Sequence, residues 1–533
     1  MQDAISRRGF LGLAGGGAAG LALYDLAAWQ KPAEAASGGS ASPERCGRPE
    51  VPKREFRAVW VASVSNIDWP SRPGLPARRQ KRELLDILDA VRSLGMNAVI
   101  LQVRPAADAL YPSRYAPWSS YLTGRQGRSP GYDPLAFAVE EAHRRGLELH
   151  AWFNPYRVST GSSLRGLSPR SPAREHPGWV VRYGGRLYFD PGIPGVRRLI
   201  ERSVMEVVGR YDVDAVHLDD YFYPYPVSGE GFPDGGTFRR YGGRFRSKAA
   251  WRRNNVDLLV GGLSRQIKRK KRYVKFGISP FGIWRNRSED PRGSATSGLS
   301  SYDDLYADSR GWVRRGWLDY VVPQVYWNFG YGPAPYEVLV RWWAEQVRGR
   351  GVELYIGQAA YKIGSGGAWD DPNEMPSHVR FDRRHPGVRG DVYFSVSDVL
   401  KNPLGFRGRL ARDLYRHPAL IPAMRRPGGA PPHPVLLRAR NTRRGVLLEW
   451  HARGRPDDAL YVVYRFGGAR RPGACDLRDG RNILKVVPAG RSGTRSCFDR
   501  TARPGRRYTY CVSAVDRLHH ESPPGGRAVI TVR

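Results

Sequence analysis

Two adjacent carboxylates, Asp219 and Asp220, end a short apolar run in the segment DAVHLDDYFYPYP at residues 214–226, and a cluster of tyrosines follows them. A carboxylic acid in a cleft lined by aromatic rings can protonate a glycosidic oxygen. A second group then stabilises the positive charge that develops at the sugar carbon. The segment therefore indicates hydrolysis of a glycosidic bond, with Asp219 and Asp220 as the candidate catalytic residues.

Side-chain alternation along a β-strand separates the two aspartates. If the segment is a strand, His217, Asp219 and Tyr221 share one face, and Val216 and Leu218 share the other. Asp219 then points into the cleft, whereas its neighbour reaches the cleft only if the chain bends where the strand ends. We therefore rank Asp219 first and interpret the second aspartate as a partner or orienting group. The competing interpretation is that the second aspartate caps the following loop or pairs with an arginine.

The elements that must position these residues recur as eight short apolar segments, each followed by a polar or Gly/Pro-rich loop and a helical pattern. Eight strand-then-helix units within residues 53–424 predict a (β/α)8 TIM barrel, with an open doubly wound sheet as the competitor. No glycine-rich phosphate fingerprint follows the first segment. The segments are FRAVWVASV from residue 56, NAVILQVRP from 97, LELHAWFNPY from 147, DAVHLDDYF from 214, VKFGISPFGIW from 274, DYVVPQVYW from 319, VELYIGQAAY from 352 and GDVYFSVSDV from 390.

Polar and aromatic residues gather at the ends of the predicted strands, where the chemistry of a barrel is located. Amides and arginines pair with hydroxyl and acetamido groups, and aromatic rings stack on the apolar faces of sugars. The candidate substrate-binding residues are Trp60, Gln102, Arg104, Asn154, Tyr156, Arg157, His217, Tyr221, Trp284, Gln324, Tyr326, Trp327, Asn328, Gln358 and Tyr361.

A second acidic pair, Asp303 and Asp304, lies between the fifth and sixth predicted strands. We predict that it caps the start of a helix, with a substrate contact as the alternative. No constellation of histidine, cysteine and aspartate requires a metal, although two adjacent aspartates are able to hold a cation, and the sequence predicts no cofactor.

The hydrophobic pattern of the last hundred residues differs from that of the strand-then-helix units. Short alternating or β-branched runs separated by turns, without a helical pattern, predict a small all-β, immunoglobulin-like sandwich over residues 435–533. Trp450 in an early strand and the pair Tyr508 and Tyr510 in a late one resemble a fibronectin type III domain. Two stretches rich in Gly, Pro or Ser, 37–52 and 425–434, are predicted linkers.

The first 36 residues are typical of an export signal. Arg7 and Arg8 precede Phe10, Leu11 and a weakly apolar Gly/Ala/Leu segment, and the residues AEAAS at 33–37 suit a signal peptidase. This pattern matches the twin-arginine type. We therefore expect the twin-arginine machinery to export the chain, with cleavage of residues 1–36, and the mature protein to be secreted or wall-associated. A membrane anchor would need a longer apolar span.

Four cysteines, Cys46, Cys475, Cys497 and Cys511, are compatible with an oxidising compartment. Three of them fall in the last 60 residues, so one disulfide is expected there. Spacing leaves the pairing open.

A formal net charge of +36 attracts anionic polymers in general. Arginine is spread along the whole chain, and the densest run, KRKKRY at 268–273, is more typical of the solvated end of a helix than of a nucleic-acid motif. We therefore expect no nucleic-acid partner and name anionic wall polymers as candidate partners.

Residues 53–412 resemble the glycosyl-hydrolase-like 10 domain family, because several motifs of that family recur in order. These include VILQVRPAADALYPS, HAWFNPYRV, HLDDYFYPYP, ISPFGIWRN, VVPQVYWN and YIGQAAYKI. The resemblance implies a hydrolase barrel acting on peptidoglycan glycan strands without stem peptides, a polymer of N-acetylglucosamine and N-acetylmuramic acid. It also implies that Asp219 and Asp220 are the acid positions. The more distantly similar chitinase-like barrels end this strand on a glutamate, a departure that leaves their mechanism open here.

The leading hypothesis is an exported glycoside hydrolase of cell-wall glycan. A non-catalytic protein that binds wall carbohydrate and a hydrolase of another extracellular polysaccharide are the alternatives.

Overall fold

A computed structural model describes residues 46–47, 49–426, 430–451, 458–489 and 493–533. The predicted signal segment 1–36 and parts of both predicted linkers lie outside the described residues. Within those residues, no helix is both long and apolar enough to cross a membrane.

The eight predicted strands form a closed barrel of parallel strands, which confirms the predicted fold class. Their order around the barrel follows the chain, apart from an inserted sheet between the third and fourth barrel strands. The strands of residues 49–426 are β1 Phe56–Val61, β2 Ala98–Arg104, β3 Glu148–Phe153, β4 Arg157–Ser159, β5 Val180–Tyr183, β6 Arg186–Phe189, β7 Ala215–Leu218, β8 Lys275–Ile278, β9 Tyr320–Val321, β10 Glu353–Gln358 and β11 Val388–Tyr393. The barrel order is β1-β11-β10-β9-β8-β7-β3-β2.

Helices cover the outside of the barrel. The first long helix buries Leu84, Leu88 and Val91 on one face, as its sequence period predicts. Asp133 starts the third helix by accepting hydrogen bonds from two backbone N–H groups. The helices are α1 Ala77–Ser93, α2 Ser120–Thr123, α3 Pro134–Arg144, α4 Pro172–Glu175, α5 Pro194–Arg210, α6 Gly235–Tyr241, α7 Lys248–Lys270, α8 Ser309–Arg314, α9 Tyr336–Val347, α10 Glu374–Arg384, α11 Val396–Leu400 and α12 Phe406–Arg409.

Alternation along the strands divides the core into a lumen and an outer layer. On β7, Ala215 packs in the lumen cluster with Trp60 and Tyr320, whereas Val216 and Leu218 pack in the cluster that contains the helices. This is the division that the sequence predicts for this strand.

The inserted sheet connects the mouth of the barrel to its flank. It is antiparallel, with the order β4-β6-β5. Helix α5 follows it and leads to the start of β7. Since barrel strands run towards the mouth and the helices return from it, the first turns of α5 lie on the mouth side.

The C-terminal part is the predicted all-β sandwich. One sheet has the order β12-β13-β16 and the other β15-β14-β17-β18. The ring of buried Trp450 lies 5.8 Å from that of Tyr461, and the Tyr510 hydroxyl donates to Asp499 at 2.7 Å. The strands are β12 Val435–Thr442, β13 Gly445–His451, β14 Asp458–Gly467, β15 Ile483–Pro488, β16 Thr494–Asp499, β17 Arg507–Asp516 and β18 Ala528–Thr531.

The sandwich packs against the end of the barrel opposite the mouth. The Arg517 guanidinium lies 3.9 Å from the centroid of the Tyr273 ring and 3.2 Å from an Asp214 carboxylate oxygen. Glu521 forms an ion pair with Lys53 at 2.8 Å. Because these contacts involve the chain just before β1 and the segments just before β7 and β8, the sandwich covers the N-terminal ends of the barrel strands.

The disulfide corrects an expectation from the sequence. Cys475 pairs with Cys46, at the other end of the chain, rather than within the tail. Cys497 and Cys511 are buried thiols. They cannot meet because Cys497 packs in the interior of the sandwich, whereas Cys511 lies in the cluster that contains Leu420 of the barrel side.

Candidate active site

Strand β7 delivers both aspartates to the mouth of the barrel. Its four residues are buried, and the chain leaves the strand at Asp219 and bends at Asp220. The N–H of Phe222 donates to the Asp220 carbonyl at 3.0 Å, which stabilises this bend. The side chains are only 3% and 1% exposed, respectively. The bend that the second aspartate requires is therefore present.

Each carboxylate is oriented by a different donor. The Asn154 amide, just beyond β3, donates to Asp219 Oδ2 at 2.8 Å, and the Tyr221 N–H donates to Oδ1 at 3.1 Å. The Tyr225 hydroxyl donates to Asp220 Oδ2. These donors hold the two carboxyl groups in fixed and distinct orientations.

Aromatic rings surround the pair. The Tyr221 and Tyr225 rings meet edge to face at 5.3 Å, and the Tyr225 ring lies 6.1 Å from that of Phe281. Phe281 in turn contacts Trp327, edge to face, at 5.6 Å. The Arg157 guanidinium lies over Tyr221, 4.7 Å from the ring centroid. A planar cation and several rings beside two carboxylates form a surface suited to a sugar.

His217 lies beneath the pair, inside the lumen. The Trp60 indole donates to His217 Nε2 at 3.2 Å. Since an indole can only donate, Nε2 accepts and Nδ1 carries the proton. Nδ1 lies 3.1 Å from the Tyr320 hydroxyl, and Ser279 contacts Nε2 at 3.0 Å. Burial, then the neighbouring His150, holds the pKa of His217 well below its usual value, so the ring is neutral and serves to position its neighbours.

Glycine at position 277 makes this arrangement sterically possible. A Cβ there would lie 2.1 Å from the Tyr320 ring. Only glycine leaves room for that ring to reach the histidines on the other side of the lumen.

Gln102 and Arg104 at the end of β2 are buried and support the mouth from within. Gln102 Oε1 accepts from the N–H groups of Ser63 and Val64 at 3.0 and 2.9 Å, which orders the loop after β1. Arg104 donates to the Asn154 carbonyl at 3.0 Å. Gln102 and Arg104 therefore support Asn154 and the loop after β1 and do not line the cleft themselves.

The candidates after β9 and β10 form the opposite wall. Tyr326 and Tyr361 meet edge to face at 5.9 Å. The Gln324 amide donates to the Ser279 carbonyl at 2.9 Å, and the Asn328 amide donates to the carbonyl of Phe329 at 2.7 Å. Tyr326 and Tyr361 thus offer rings, whereas the two amides are engaged in shaping the loops.

Three candidates lie away from the mouth. Tyr156 packs in the outer core, near Arg197 and Glu201 of α5. The Trp284 indole donates to Asp308 at 3.1 Å beside α8. Gln358 points outward from β10. Side chains alternate along a strand, and Tyr355, three residues earlier, packs in the lumen cluster. The Asp303 and Asp304 prediction also changes. They accept from Arg285 and from the Ser300 N–H in a turn, and the next helix begins only at Ser309.

Several residues of the site were missed by the sequence reasoning. Tyr225, Phe281, Ser279 and Tyr320 contact the aspartates, the rings around them or His217. Tyr225 was visible in the tyrosine cluster, but only the bend brings it to Asp220. Lys362 donates to the Tyr326 carbonyl at 2.7 Å, and burial lowers its pKa to about 8. The sequence feature that could have indicated Lys362 is its position directly after the candidate Tyr361.

Comparison with known proteins gives the family. The family model described as Glycosyl hydrolase-like 10 matches residues 55–374. The chain is 47% identical over 486 residues to Glycosyl hydrolase YngK of Bacillus subtilis (strain 168), covering 89% of this chain and 93% of that protein. The chain belongs to the glycosyl hydrolase-like 10 family.

A second relative and one solved structure are similar to this chain over a smaller part or at lower identity. Glycosyl hydrolase DigH of Escherichia coli (strain K12) is 48% identical over 325 residues, covering 58% of this chain and 74% of that protein. The solved glycoside hydrolase domain of PgaB (BpsB) from Bordetella bronchiseptica is 17% identical, with a TM-score of 0.46, covering 67% of this chain and 98% of that chain.

Truncating the donor to Asp219 tests the geometry of the site in this family member. We expect Asn154→Ala to lower kcat by ~10- to 100-fold, because a hydrogen bond to a charged group contributes ~1.5–3 kcal/mol. Steady-state kinetics on a glycan substrate measure the effect. The matched control is Asn286→Ala, which removes an amide bonded to the Gly298 carbonyl at 2.8 Å and should change kcat less than twofold. Equal losses in the two variants would contradict the role of Asn154.

Gln358 contacts a buried pair of carboxyl groups, Asp391 of β11 and Asp382 of α10. Its amide donates to Asp391 at 2.8 Å and to Asp382 at 3.1 Å. Burial raises the pKa of Asp391 to about 6. Burial, then the charge of Asp391, raises the pKa of Asp382 well above its usual value. The two carboxyls therefore share a proton at neutral pH.

This pair makes stability depend on pH. Because the folded-state pKa of Asp391 is raised, its stabilising contribution is fully present below pH ~4 and is lost as the pH rises through about 6. We expect Asp391→Asn, which cannot ionise, to lose ~1.4 kcal/mol less stability than the wild type between pH 5 and pH 8. Denaturant unfolding at both pH values measures the difference. Asp86→Asn, at an exposed position of α1, is the control, and parallel pH curves for the wild type and Asp391→Asn would contradict the assignment.

Proposed function

We propose that this protein is an exported glycoside hydrolase that cleaves peptidoglycan glycan strands lacking stem peptides, with Asp219 and Asp220 as its catalytic residues. One observation carries the proposal. Two nearly buried carboxylates lie at the mouth of a barrel, each oriented by its own donor, Asn154 and Tyr225, within a ring of aromatic side chains. Membership of a glycosyl hydrolase family supports the class of reaction.

In this proposal the two carboxyl groups have different roles. Asp219 gives its proton to the glycosidic oxygen as the bond from the anomeric carbon to that oxygen breaks. Its anion is then stabilised by the Asn154 amide and the Tyr221 N–H. Asp220, oriented by Tyr225, stabilises the positive charge at the sugar ring. A water molecule adds to the anomeric carbon, and its released proton restores Asp219.

The substrate and the location rest on other observations. The Arg7 and Arg8 signal pattern and the net charge of +36 suit a protein that works among anionic wall polymers. The two-sheet tail, with Trp450 and Tyr510 in its core, supports a fibronectin type III-like domain that holds the far end of the barrel.

Product analysis tests the proposal. The purified protein is incubated with glycan strands stripped of peptides, with intact peptidoglycan and with chitin, and the products are identified by mass spectrometry. We expect new reducing ends from the stripped strands and few from the other two polymers. Binding to peptidoglycan without new reducing ends would favour a non-catalytic wall-binding protein, and preferential cleavage of chitin would favour a different polysaccharide.

A further inference from the structure

A basic groove lies on the flank of the barrel, separate from the two aspartates. It has a volume of about 460 Å³. Trp179 lines it, with the His176 ring stacked on the indole at 3.9 Å and an interplanar angle of 19°. Four exposed arginines also line it: Arg114, Arg170, Arg198 and Arg202. We call the site formed by these arginines and the stacked pair the arginine groove.

These arginines outnumber the acidic side chains of the groove, which is also lined by Glu175, and none of them pairs with a carboxylate in the described part of the chain. Among the described residues, none of the four has a carboxylate within 4.0 Å, whereas Arg144 at the end of α3 and Arg145 directly after it are both paired with Glu141. Glu206, which lies nearby, is engaged by the Ser113 hydroxyl at 2.6 Å and by the Arg114 N–H at 3.0 Å. Several uncompensated positive charges in one concave site favour an anionic ligand.

The groove opens on the mouth side of the barrel. Arg198 and Arg202 lie one turn apart in the first half of α5, and Arg114 follows β2 at its mouth end. The inserted sheet links the groove to the aspartates. Arg157, at one edge in β4, lies over Tyr221, and Trp179 directly precedes β5 at the other edge. With strands ~4.8 Å apart, the three-stranded sheet spans ~10 Å.

We propose that the arginine groove binds carboxylates of the glycan strand outside the bond that is cleaved, an inference that rests on the proposed function. Guanidinium groups bind carboxylates in a two-point geometry, and an indole stacks on the apolar face of a sugar. N-acetylmuramic acid carries a lactyl carboxylate, which becomes an uncharged amide when a stem peptide is attached. The groove therefore selects strands without stem peptides, because only those strands carry a free carboxylate directly on the lactyl group.

The test compares one strand in two chemical forms. Peptide-free glycan oligomers are used either untreated or with their carboxylates converted to methylamides. We expect Arg198→Gln/Arg202→Gln to raise KM ~10-fold on the untreated oligomers, with kcat within twofold, because two charge-assisted contacts are lost. On the methylamide oligomers, the variant and the wild type should have the same KM.

A matched pair of arginines provides the control. Arg78 and Arg82 are also exposed and one turn apart, in the first half of α1. Arg78→Gln/Arg82→Gln removes the same charge and should leave KM on both oligomers unchanged. Equal increases in the two double variants, or equal increases on both oligomers, would overturn the proposal, because a general field effect would then explain the result.

Direct binding separates this inference from the proposed function. Isothermal titration with the untreated oligomers gives an affinity even if no bond is cleaved. A loss of affinity in Arg198→Gln/Arg202→Gln, absent with the methylamide form, supports the groove whether or not hydrolysis occurs. Displacement of the oligomers by a phosphodiester polymer that binds the groove more tightly would assign the groove to that polymer instead and overturn the proposal.

Discussion

Replacing Asp219 by asparagine is expected to lower kcat on peptide-free glycan by ~1000-fold, within the range that a positioned general acid contributes. The amide has nearly the same shape but cannot deliver a proton to the leaving oxygen. Its single amide oxygen can still accept from one of the two donors, the Asn154 amide or the Tyr221 N–H, so the fold should persist. Release of reducing ends under saturating substrate measures the effect, and thermal unfolding checks the fold.

Two further variants make this result specific to Asp219. Asp220→Asn retains an oxygen that can accept from Tyr225 and should lower kcat less if its role is to stabilise charge. Asp303→Asn changes an aspartate paired with Arg285 at 2.7 Å, outside the ring of side chains around the site, and should leave kcat within twofold of wild type. Wild-type cleavage by Asp219→Asn would refute the assignment of the acid.

The barrel could be predicted because its signals are local. Each strand is a short apolar run, and each long helix has an apolar face, as in α1 with Leu84, Leu88 and Val91. The side chain of Asp219 was also predictable, since alternation from His217 fixes its face. This alternation alone distinguishes the predicted orientations of the two adjacent aspartates.

The rest of the site depends on geometry that no local pattern contains. The bend at Asp220 sets which hydroxyl reaches its carboxylate, and it selected Tyr225 from several nearby tyrosines. Gln358 was assigned to the mouth because it ends a strand, but its position on the outward face of β10 joins it to Asp382 and Asp391. Position at a strand end is therefore insufficient without the face of the strand.

Contacts between distant segments were the least predictable. Cys46 and Cys475 are 429 residues apart in the sequence, and spacing carries no information about their approach. The same limit applies to the sandwich, whose His519 contacts Glu148 of the barrel at 2.5 Å. The local sequence around each partner gives no indication of the contact, which forms only when the sandwich packs against the barrel.

That docking completes a polar chain through the barrel. Beneath His217, the Tyr320 hydroxyl lies 2.9 Å from His150 Nδ1, and His150 Nε2 lies 2.8 Å from Glu148. Burial alone would raise the pKa of the Glu148 carboxyl, but the charge of Lys275 and the hydrogen bonds from His150 and His519 outweigh burial, so its pKa is well below the usual value. The chain therefore ends on a buried, ionised carboxylate.

Breaking this ion pair is expected to give the largest loss of stability. Lys275 and Glu148, at 4% and 9% side-chain exposure, are joined by contacts of 2.5 and 2.7 Å. Lys275→Met keeps the length of the side chain but leaves the buried carboxylate without its cation. Removing one partner of a buried pair costs ~3–5 kcal/mol. We expect a loss of this size in the free energy of unfolding, measured with denaturant.

The double variant identifies the cause of that loss. Adding Glu148→Gln to Lys275→Met removes the uncompensated charge, while the amide oxygen can still accept from His150 or His519. We expect the double variant to regain most of the lost stability, because replacing both partners of a buried pair is often nearly neutral. Lys270→Met, at an exposed position of α7, should change stability by less than ~0.5 kcal/mol. A double variant as unstable as Lys275→Met would show that lost packing, rather than the buried charge, causes the effect.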